Sequence, residues 1–595
     1  MSTILILGGT TEGKIALEVC EEAGRAYYYS TRFSSQEVSL QYGIRLSGAM
    51  DRDALHSYCV NHDIGLIIDA THPFATNLHT NIGTLDAPII RYERVFPKVP
   101  QGAIVVDDFE TAISQLQKLN PAITLAFTGV NSIEKLKLYW QSYKTYFRVM
   151  PLEESRSIVK RSKIDADQII YYDESKTTEE IIRELNPNAL IIKESGETAG
   201  FSEKVQTAIK MGVKVIVVAC PPLGYSPKCV ATGKVSLRLA IEKLLPGFFD
   251  HRIGLTTGVT ATAASKAALL ALLNEEAYDE VLVTLPSGEM VPFPIKSTQI
   301  DGLSATSVAV KNGGDDPDVT HGAEIHSMVA INSHHCGVNF LQGVGVGVVT
   351  LPGLGLEIGD PAINQTPRTM IRNMVEEYLD ISQVGVDITI SVPNGQDIAK
   401  QTFNPRLGII NGISIIGTTG IVRPYSSETW IASIRKEMQV SKAVGVGHIV
   451  LNSGGRSEKY LRTYFEDLPS NAFIQYGNFI GQTLTFANEL MFPKVTLGIM
   501  LGKAVKLAAG ALDTHSHKVT MDKSFLKKVL LEAGEDIDVA PINLARELWK
   551  LVPDRDALFY QIILRKCYSH CSELVPNTSL DILLMDDNGQ FIKLK

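Results

Sequence analysis

Cysteine, long apolar runs and a surplus of positive charge are what this chain of 595 residues lacks. Its seven cysteines (Cys20, Cys59, Cys220, Cys229, Cys336, Cys567 and Cys571) are few, odd in number and scattered, which excludes a disulfide framework and predicts a reducing compartment. No apolar run reaches the roughly 18 residues that a bilayer span needs; Val213 to Ala219 and Gly343 to Leu351 are short or broken by glycine. No membrane span is therefore expected. The opening residues, Met1 to Gly9, have no basic region ahead of their apolar run and enter a strand and glycine turn directly, so a signal peptide is not expected and a cytoplasmic location is predicted. Against 65 acidic residues stand 56 Lys and Arg, for a net charge of -9. That balance removes nucleic acid as an expected partner, since phosphate-backbone binding needs a basic excess.

What is present is an ordinary globular composition, 45% apolar and 20% charged, in a chain too long for one hydrophobic core. Up to about residue 245, short β-branched runs (Thr3 to Leu7, Ala26 to Ser30, Ile64 to Asp69, Pro88 to Arg91, Ile123 to Phe127, Leu190 to Lys193, Val213 to Cys220) alternate with helical patterns. This rhythm predicts an α/β fold with a doubly wound parallel sheet. Pro246 and Gly247 end the last helical pattern, which sets domains at 1–245 and 251–595. The second domain reads as α+β up to about residue 430. Two strand, glycine turn, helix units follow, at His448 to Leu451 and Val495 to Met500, forming a small α/β layer, and a helical tail begins at Asp522.

Strand, turn and helix meet at Gly8, Gly9, Thr10, Thr11, Glu12 and Gly13. Glycines admit a diphosphate close to the backbone, and a helix amino terminus offers free N–H groups, so the turn is a candidate dinucleotide site even though Thr10 replaces a glycine of the strict pattern. At the end of the second strand, Ser30, Arg32, Ser34 and Ser35 stand where an acid would favour NADH. They suit a 2′-phosphate and favour NADPH; a solvated loop is the competing explanation for Arg32. Thr71 and His72 follow a strand at the expected crevice, with His72 a proton donor, a carboxylate contact or a plain loop histidine. Arg91 and Arg94 follow another strand end, and Lys193, Ser195 and Gly196 form a second anion-binding turn.

The GGTTEG turn, the DATHPFA segment, RYER at Arg91 to Arg94, RVMP at Arg148 to Pro151 and KESGETAGFSEK from Lys193 to Lys204 together resemble the precorrin-6A reductase family of cobalamin biosynthesis. The resemblance implies two Rossmann-like lobes and a pyridine-nucleotide hydride transfer to the double bond between carbons 18 and 19 of a corrin precursor. One departure stands at Ala219, Cys220, Pro221 and Pro222, where an Arg followed by Pro is expected.

Beyond residue 251, Thr256 and Thr257 open an alanine-rich helix, and Asp315, Asp316 and Asp318 crowd a glycine turn. Such acids can hold a cation, grip ribose hydroxyls or move protons, and Asx-turn chemistry explains them equally. Gly343, Gly345 and Gly347 either admit a ligand or flatten a sheet. The segment from Thr402 to Gly420 is rich in glycine and hydroxyls and is expected to line a polar cleft. His334, His335 and Cys336, like His515 and His517, lack zinc-site spacing, so no resident metal is expected.

These segments (TTGVTATAASKAAL, KNGGDDPDVTHGAEI, GVGVGVVTLPGL, GDPAINQTPRTMI, TFNPRLGIINGISIIGTTGIV, GNFIG) resemble, in order, the cobalt-precorrin-5B (C1)-methyltransferase family. Val259 and Thr260 depart from its usual Thr and Cys, and Asn312 from its usual Asp. The resemblance implies S-adenosylmethionine and methyl transfer to carbon 1. For such a transfer, Asp315 and Asp316 are expected in ribose contact or proton handling, and Thr256, Thr257 and Lys503 as contacts for substrate carboxylates. The expected whole is a bifunctional enzyme whose partner is a corrinoid precursor, with oligomeric state left open. The rival is a reductase fused to a non-catalytic tetrapyrrole-binding module.

Overall fold

A computed structural model describes residues 2–32, 36–94, 96–196, 200–515 and 519–595. Ser34, Ser35 and His517, named above, lie outside these. Contacts divide the chain into one unit of Met1–Asp250 with Glu289–Val291 and a second of His251–Gly288 with Pro292–Lys595.

Twelve strands build the described part of the first unit: β1 Thr3–Leu7, β2 Tyr27–Thr31, β3 Gly43–Ser47, β4 Ile64–Asp69, β5 Ile89–Tyr92, β6 Ile104–Val106, β7 Thr124–Phe127, β8 Thr145–Val149, β9 Ile169–Tyr171, β10 Ala189–Lys193, β11 Lys214–Val218 and β12 Cys229–Ala231. They form two six-stranded sheets, ordered β12-β5-β4-β1-β2-β3 and β6-β11-β10-β7-β8-β9. Every recorded pairing in them is parallel. The central strands are apolar end to end (Ile4, Leu5, Ile6; Leu66, Ile67, Ile68; Leu190, Ile191), with residues at 0% exposure, because helices cover both faces of a parallel sheet. After β11 the chain returns to the first lobe as β12 and the helix Lys234–Leu244, whose Leu237 and Ile241 join Ala16 and Cys20 of α1 (Thr11–Glu21) in one core. The predicted two-lobed doubly wound arrangement is therefore present. Strand order reverses between β1 and β4 in one lobe and between β7 and β10 in the other, and ligands of open α/β sheets bind beyond the carboxyl ends at such points.

In the second unit, five strands lie in the order Ser297–Asp301, Ser304–Val310, Glu324–Asn332, Gly385–Ser391, Gly337–Gln342, antiparallel except for the last pair. The helix Thr257–Asn274 packs on this sheet, buried almost all round. Its alanines allow that close approach, and Ser265 Oγ bonds Ser327 Oγ of the sheet at 2.8 Å. The small layer orders its strands Phe473–Gln475, His448–Asn452, Lys494–Met500, Ser579–Met585, Phe591–Lys593. The tail is thus not wholly helical as expected: Ser579–Met585 pairs in parallel with Lys494–Met500, burying Ile582 to Met585.

Two further expectations change. Gly395 and Gly412 both abut the Gly345 carbonyl, so the alternating glycines admit the protein's own backbone. In the segment 402–420, Arg406 bonds Glu437 at 2.6 Å, Glu458 at 3.0 Å and the Phe473 carbonyl at 2.9 Å, and Asn404 is buried. This half of the segment ties sheet to layer instead of walling a cleft.

Candidate functional site

In the first unit the glycine turn is set by close packing. A Cβ on Gly8 would meet the Tyr29 ring at 2.5 Å, and one on Gly13 would lie 2.8 Å from Gly8 Cα. Gly9 has φ +95° with nothing within 4 Å of its would-be Cβ, leaving space beside it, while its N–H donates to Tyr29 OH at 3.3 Å. Thr10 caps α1: its Oγ1 accepts from Gly13 N–H at 3.0 Å and donates to the Ala70 carbonyl at 2.6 Å, joining the β1 and β4 turns. Thr11 is exposed on the first turn of α1. An open glycine beside a helix amino terminus fits a dinucleotide diphosphate. Arg32 is exposed at the rim, whereas Ser30 is buried and its carbonyl accepts from Gly8 N–H at 2.8 Å, so Ser30 braces the turn.

Beyond β4, Asp69 is fully buried at the centre of a polar network. It accepts from Thr71 Oγ1 at 2.6 Å and Tyr225 OH at 2.6 Å, and pairs with Arg91 at 2.9 Å. Burial alone would raise its pKa; Arg91, the bonds from Thr71 and Tyr225, and His79 instead hold it low. Arg91 is 1% exposed and also meets Glu93. The expected substrate contacts Arg91 and Thr71 are therefore corrected to scaffold roles, because their polar atoms face Asp69. Arg94 pairs with Glu12 at 2.6 Å, and Gly196 lies against its stem, where a Cβ would come within 2.6 Å of Arg94 Cδ.

His72 and Lys193 remain available. Lys193 Nζ sits 4.8 Å above the Phe74 ring, and no carboxylate pairs with it among the described residues. Loss of hydration, then Lys135, lowers its pKa to about 8. His72 is exposed at the end of β4. Its pKa falls to about 4 through loss of hydration and the charges of Lys193, Arg94 and Arg91. Its Nδ1 accepts from Phe74 N–H at 3.2 Å, which assigns the proton of the neutral ring to Nε2. Ser195 lies on the same turn, half-buried.

In the second unit, three motifs converge at the amino end of the helix Thr257–Asn274. A side chain on Gly254 would collide with the Gly313 backbone, which locks Gly254–Leu255 to the acidic turn. Thr256 caps the helix through Val259 N–H, and its own N–H reaches the Gly420 carbonyl at 3.0 Å. Thr257 Oγ1 exchanges bonds with both N–H (2.9 Å) and C=O (3.1 Å) of Ile416. Both threonines are buried and occupied, which corrects their expected role as substrate contacts. Asp315 takes Arg252 through Nε (2.9 Å) and Nη2 (2.7 Å), and Asp318 takes the buried Lys311 at 2.6 Å. Asp316 accepts only from Tyr425 N–H at 3.2 Å and has no cationic partner among the described residues. Lys503 is placed elsewhere, on the small layer, where its ammonium donates to the Gly477 carbonyl and to Asn478 Oδ1 at 2.9 Å. Burial and Lys506 lower its pKa to about 8.

Residues 3–239 match the family described as precorrin-6x reductase CbiJ/CobK, residues 247–424 match CbiD, and 513–594 match the CbiD C-terminal domain. A cobalt-precorrin-5B C(1)-methyltransferase of Prosthecochloris aestuarii is 40% identical over 346 residues, which are 56% of this chain and 94% of that protein. The chain belongs to the cobalt-precorrin-5B C(1)-methyltransferase family. Its first unit belongs to the precorrin-6x reductase family. Among solved structures, a cobalamin biosynthesis protein (cbiD) from Archaeoglobus fulgidus is 27% identical, covering 45% of this chain and 83% of that one, with TM-score 0.25. A CobK precorrin-6A reductase is 18% identical, covering 42% and 99%, with TM-score 0.34.

The residues that depart from the family patterns sit in defined contacts. In the methyltransferase-family unit Val259 and Thr260 are fully buried, and Thr260 Oγ1 donates to the Thr256 carbonyl at 3.0 Å. Asn312 Oδ1 accepts from Gly314 N–H at 3.0 Å and shapes the acidic turn. In the reductase-family unit, Cys220 N–H donates to Glu194 Oε2 at 2.9 Å. Sequence reasoning missed Tyr225 and Lys135, whose partners Asp69 and Lys193 are distant in the chain, and Lys311, whose burial beside Asp318 no local pattern shows. No helix among the described residues is long and apolar enough to cross a membrane.

Proposed function

We propose that the chain performs two consecutive steps of corrinoid assembly. The second unit methylates carbon 1 of cobalt-precorrin-5B with S-adenosylmethionine, and the first reduces the resulting cobalt-precorrin-6A with NADPH. We place it in the cytoplasm. The observation that carries the reading lies in the first unit: the His72 ring (5.8 Å) and the Lys193 ammonium (4.8 Å) both meet the Phe74 ring, no carboxylate pairs with Lys193 among the described residues, and the Gly8 to Gly13 turn is tied to the same strand end through Thr10 and Ala70.

A bound dihydronicotinamide supplies a hydride, and a bound sulfonium supplies a methyl group. The Gly8 to Gly13 turn holds the diphosphate, and Arg32 at the rim favours a 2′-phosphate. Lys193 binds carboxylates of the macrocycle. Their arrival offsets the cationic field that depresses His72, so the imidazole takes up a second proton at Nδ1, which gives up its bond from Phe74 N–H, and the Nε2 proton is delivered to the carbon left electron-rich by hydride addition. In the second unit, in-line positioning supplies most of the acceleration and no protein nucleophile is needed. Asp316, beside the Arg252–Asp315 clamp and without a cationic partner among the described residues, is the acid left to take a proton or ribose hydroxyls.

The purified chain, given cobalt-precorrin-5B and S-adenosylmethionine, is expected to release one S-adenosylhomocysteine per methylated product, and then to oxidise NADPH once that product accumulates. Absence of S-adenosylhomocysteine would return the second unit to a binding module. A narrower expectation concerns Lys193, charged below pH 8 and neutral above it. The kcat/KM of the reductase step should fall as the pH rises through about 8. Lys193→Arg should push that limb upward, and Lys193→Ala should raise KM about 10- to 100-fold, as expected for a lost charged hydrogen bond. A pH profile identical in Lys193→Arg would remove Lys193 from substrate binding.

A further inference from the structure

A groove of about 490 Å³ runs between the helix Thr257–Asn274, the helix Gln365–Glu376 and the strand Glu280–Thr284 with its following turn. Its volume lies within the range of about 300–1,000 Å³ typical of small-molecule sites. We infer that this groove is the methyl-donor site of the second unit and takes a sulfonium nucleoside bearing an amino-acid tail, an inference that rests on the methyltransferase reading above.

Three features of the lining select that ligand class. At one end, the buried Lys266 ammonium lies 3.4 Å from the half-exposed Glu377 carboxylate. This loose pair of opposite charges can exchange partners with the carboxylate and ammonium of an amino acid. Midway, Thr262 Oγ1 donates its proton to the Gly258 carbonyl at 2.9 Å. It therefore presents only lone pairs to the groove, which suits a positively charged sulfur and its polarised methyl group. Along the wall, Leu285, Pro286 and Met370 supply the apolar surface that a purine ring needs.

Position supports the same assignment. Leu285 and Pro286 also back Gly420, where a Cβ would sit 3.0 Å and 3.2 Å from them, and the Gly420 carbonyl holds Thr256 N–H. At a rise of 1.5 Å per residue, Thr262 stands about 9 Å along the helix from Thr256. Groove and acidic turn thus lie within the span of one macrocycle. The groove is built where two of the sequence motifs meet, 256–269 and 359–371, and the acidic locus leaves these parts of both unused.

Calorimetric titration of the full chain with S-adenosylhomocysteine tests this. Thr369 is an exposed lining residue on the helix Gln365–Glu376, so Thr369→Trp fills the groove without entering the core. Thr369→Trp and Lys266→Gln are each expected to weaken binding at least tenfold, with thermal unfolding and NADPH affinity as in the wild type. An azido-adenosyl analogue should photolabel residues 283–288 or 366–377. Wild-type binding that both variants retain, or a label placed elsewhere, overturns the groove while leaving the methyltransferase reading in place. Failure of the wild-type chain to bind S-adenosylhomocysteine or form it overturns both.

Discussion

Asp69→Ala is expected to destabilise the first unit by about 3–5 kcal/mol, the cost of leaving one member of a buried ion pair alone. Arg91 would keep its charge at 1% exposure, with only Glu93 and backbone left to meet it. Tyr225 OH would also lose its acceptor, freeing the 219–228 segment from the β4 turn. Denaturant unfolding followed by NADPH binding should show an early transition for this unit and loss of reductase turnover. The double variant Asp69→Leu, Arg91→Met should recover most of the stability, because an apolar pair leaves no uncompensated charge. Asp69 has a lowered pKa. Its contribution is therefore complete above the ordinary aspartate value of about 3.9 and is lost as the pH falls through the lower folded value. Acid unfolding of the wild type should carry this limb, and Asp69→Ala should lack it. Unfolding of Asp69→Ala at the wild-type midpoint would show that the network is not structural.

His72→Ala is expected to lower kcat of the reductase step by about 10²–10⁴-fold, the usual contribution of a positioned proton donor. NADPH affinity should hold, because the diphosphate cradle at Gly8 to Gly13 does not involve the imidazole. In the free crevice His72 titrates at about 4, so at neutral pH it is unprotonated until substrate carboxylates arrive beside Lys193 and Arg94. The kcat profile of the wild type should then fall with rising pH at a value above 4, where the bound-state imidazole loses its proton. His72→Ala should abolish that limb. Turnover within a few-fold of wild type would assign the proton to solvent.

The central strands were readable because parallel strands covered on both faces must be continuously apolar. β3, β6, β8, β9 and β12 were not: Gly43–Ser47, Ile104–Val106, Thr145–Val149, Ile169–Tyr171 and Cys229–Ala231 sit at or next to sheet edges, partly exposed, where burial does not impose that pattern. The terminal strand Ser579–Met585 was hidden for a different reason, since its parallel partner, Lys494–Met500, lies far earlier in the chain, and Phe591–Lys593 is a three-residue edge strand that pairs only with Ser579–Met585. The site divides the same way. The glycine turn, the His72 loop and the acidic turn were visible as local patterns. Which of their side chains face a ligand was not.

Taken alone, the order of residues determined the parallel α/β fold and both family resemblances, since strand patterns, glycine turns and motif order are properties of neighbours in sequence. Only the tertiary structure decided the employment of each polar group. Arg91, Thr71, Thr256, Thr257 and Asp315 are consumed internally, whereas His72, Lys193 and Asp316 stay available, because the partners that bury or release a charge (Arg91 for Asp69, Glu12 for Arg94, Arg252 for Asp315) arrive from distant segments.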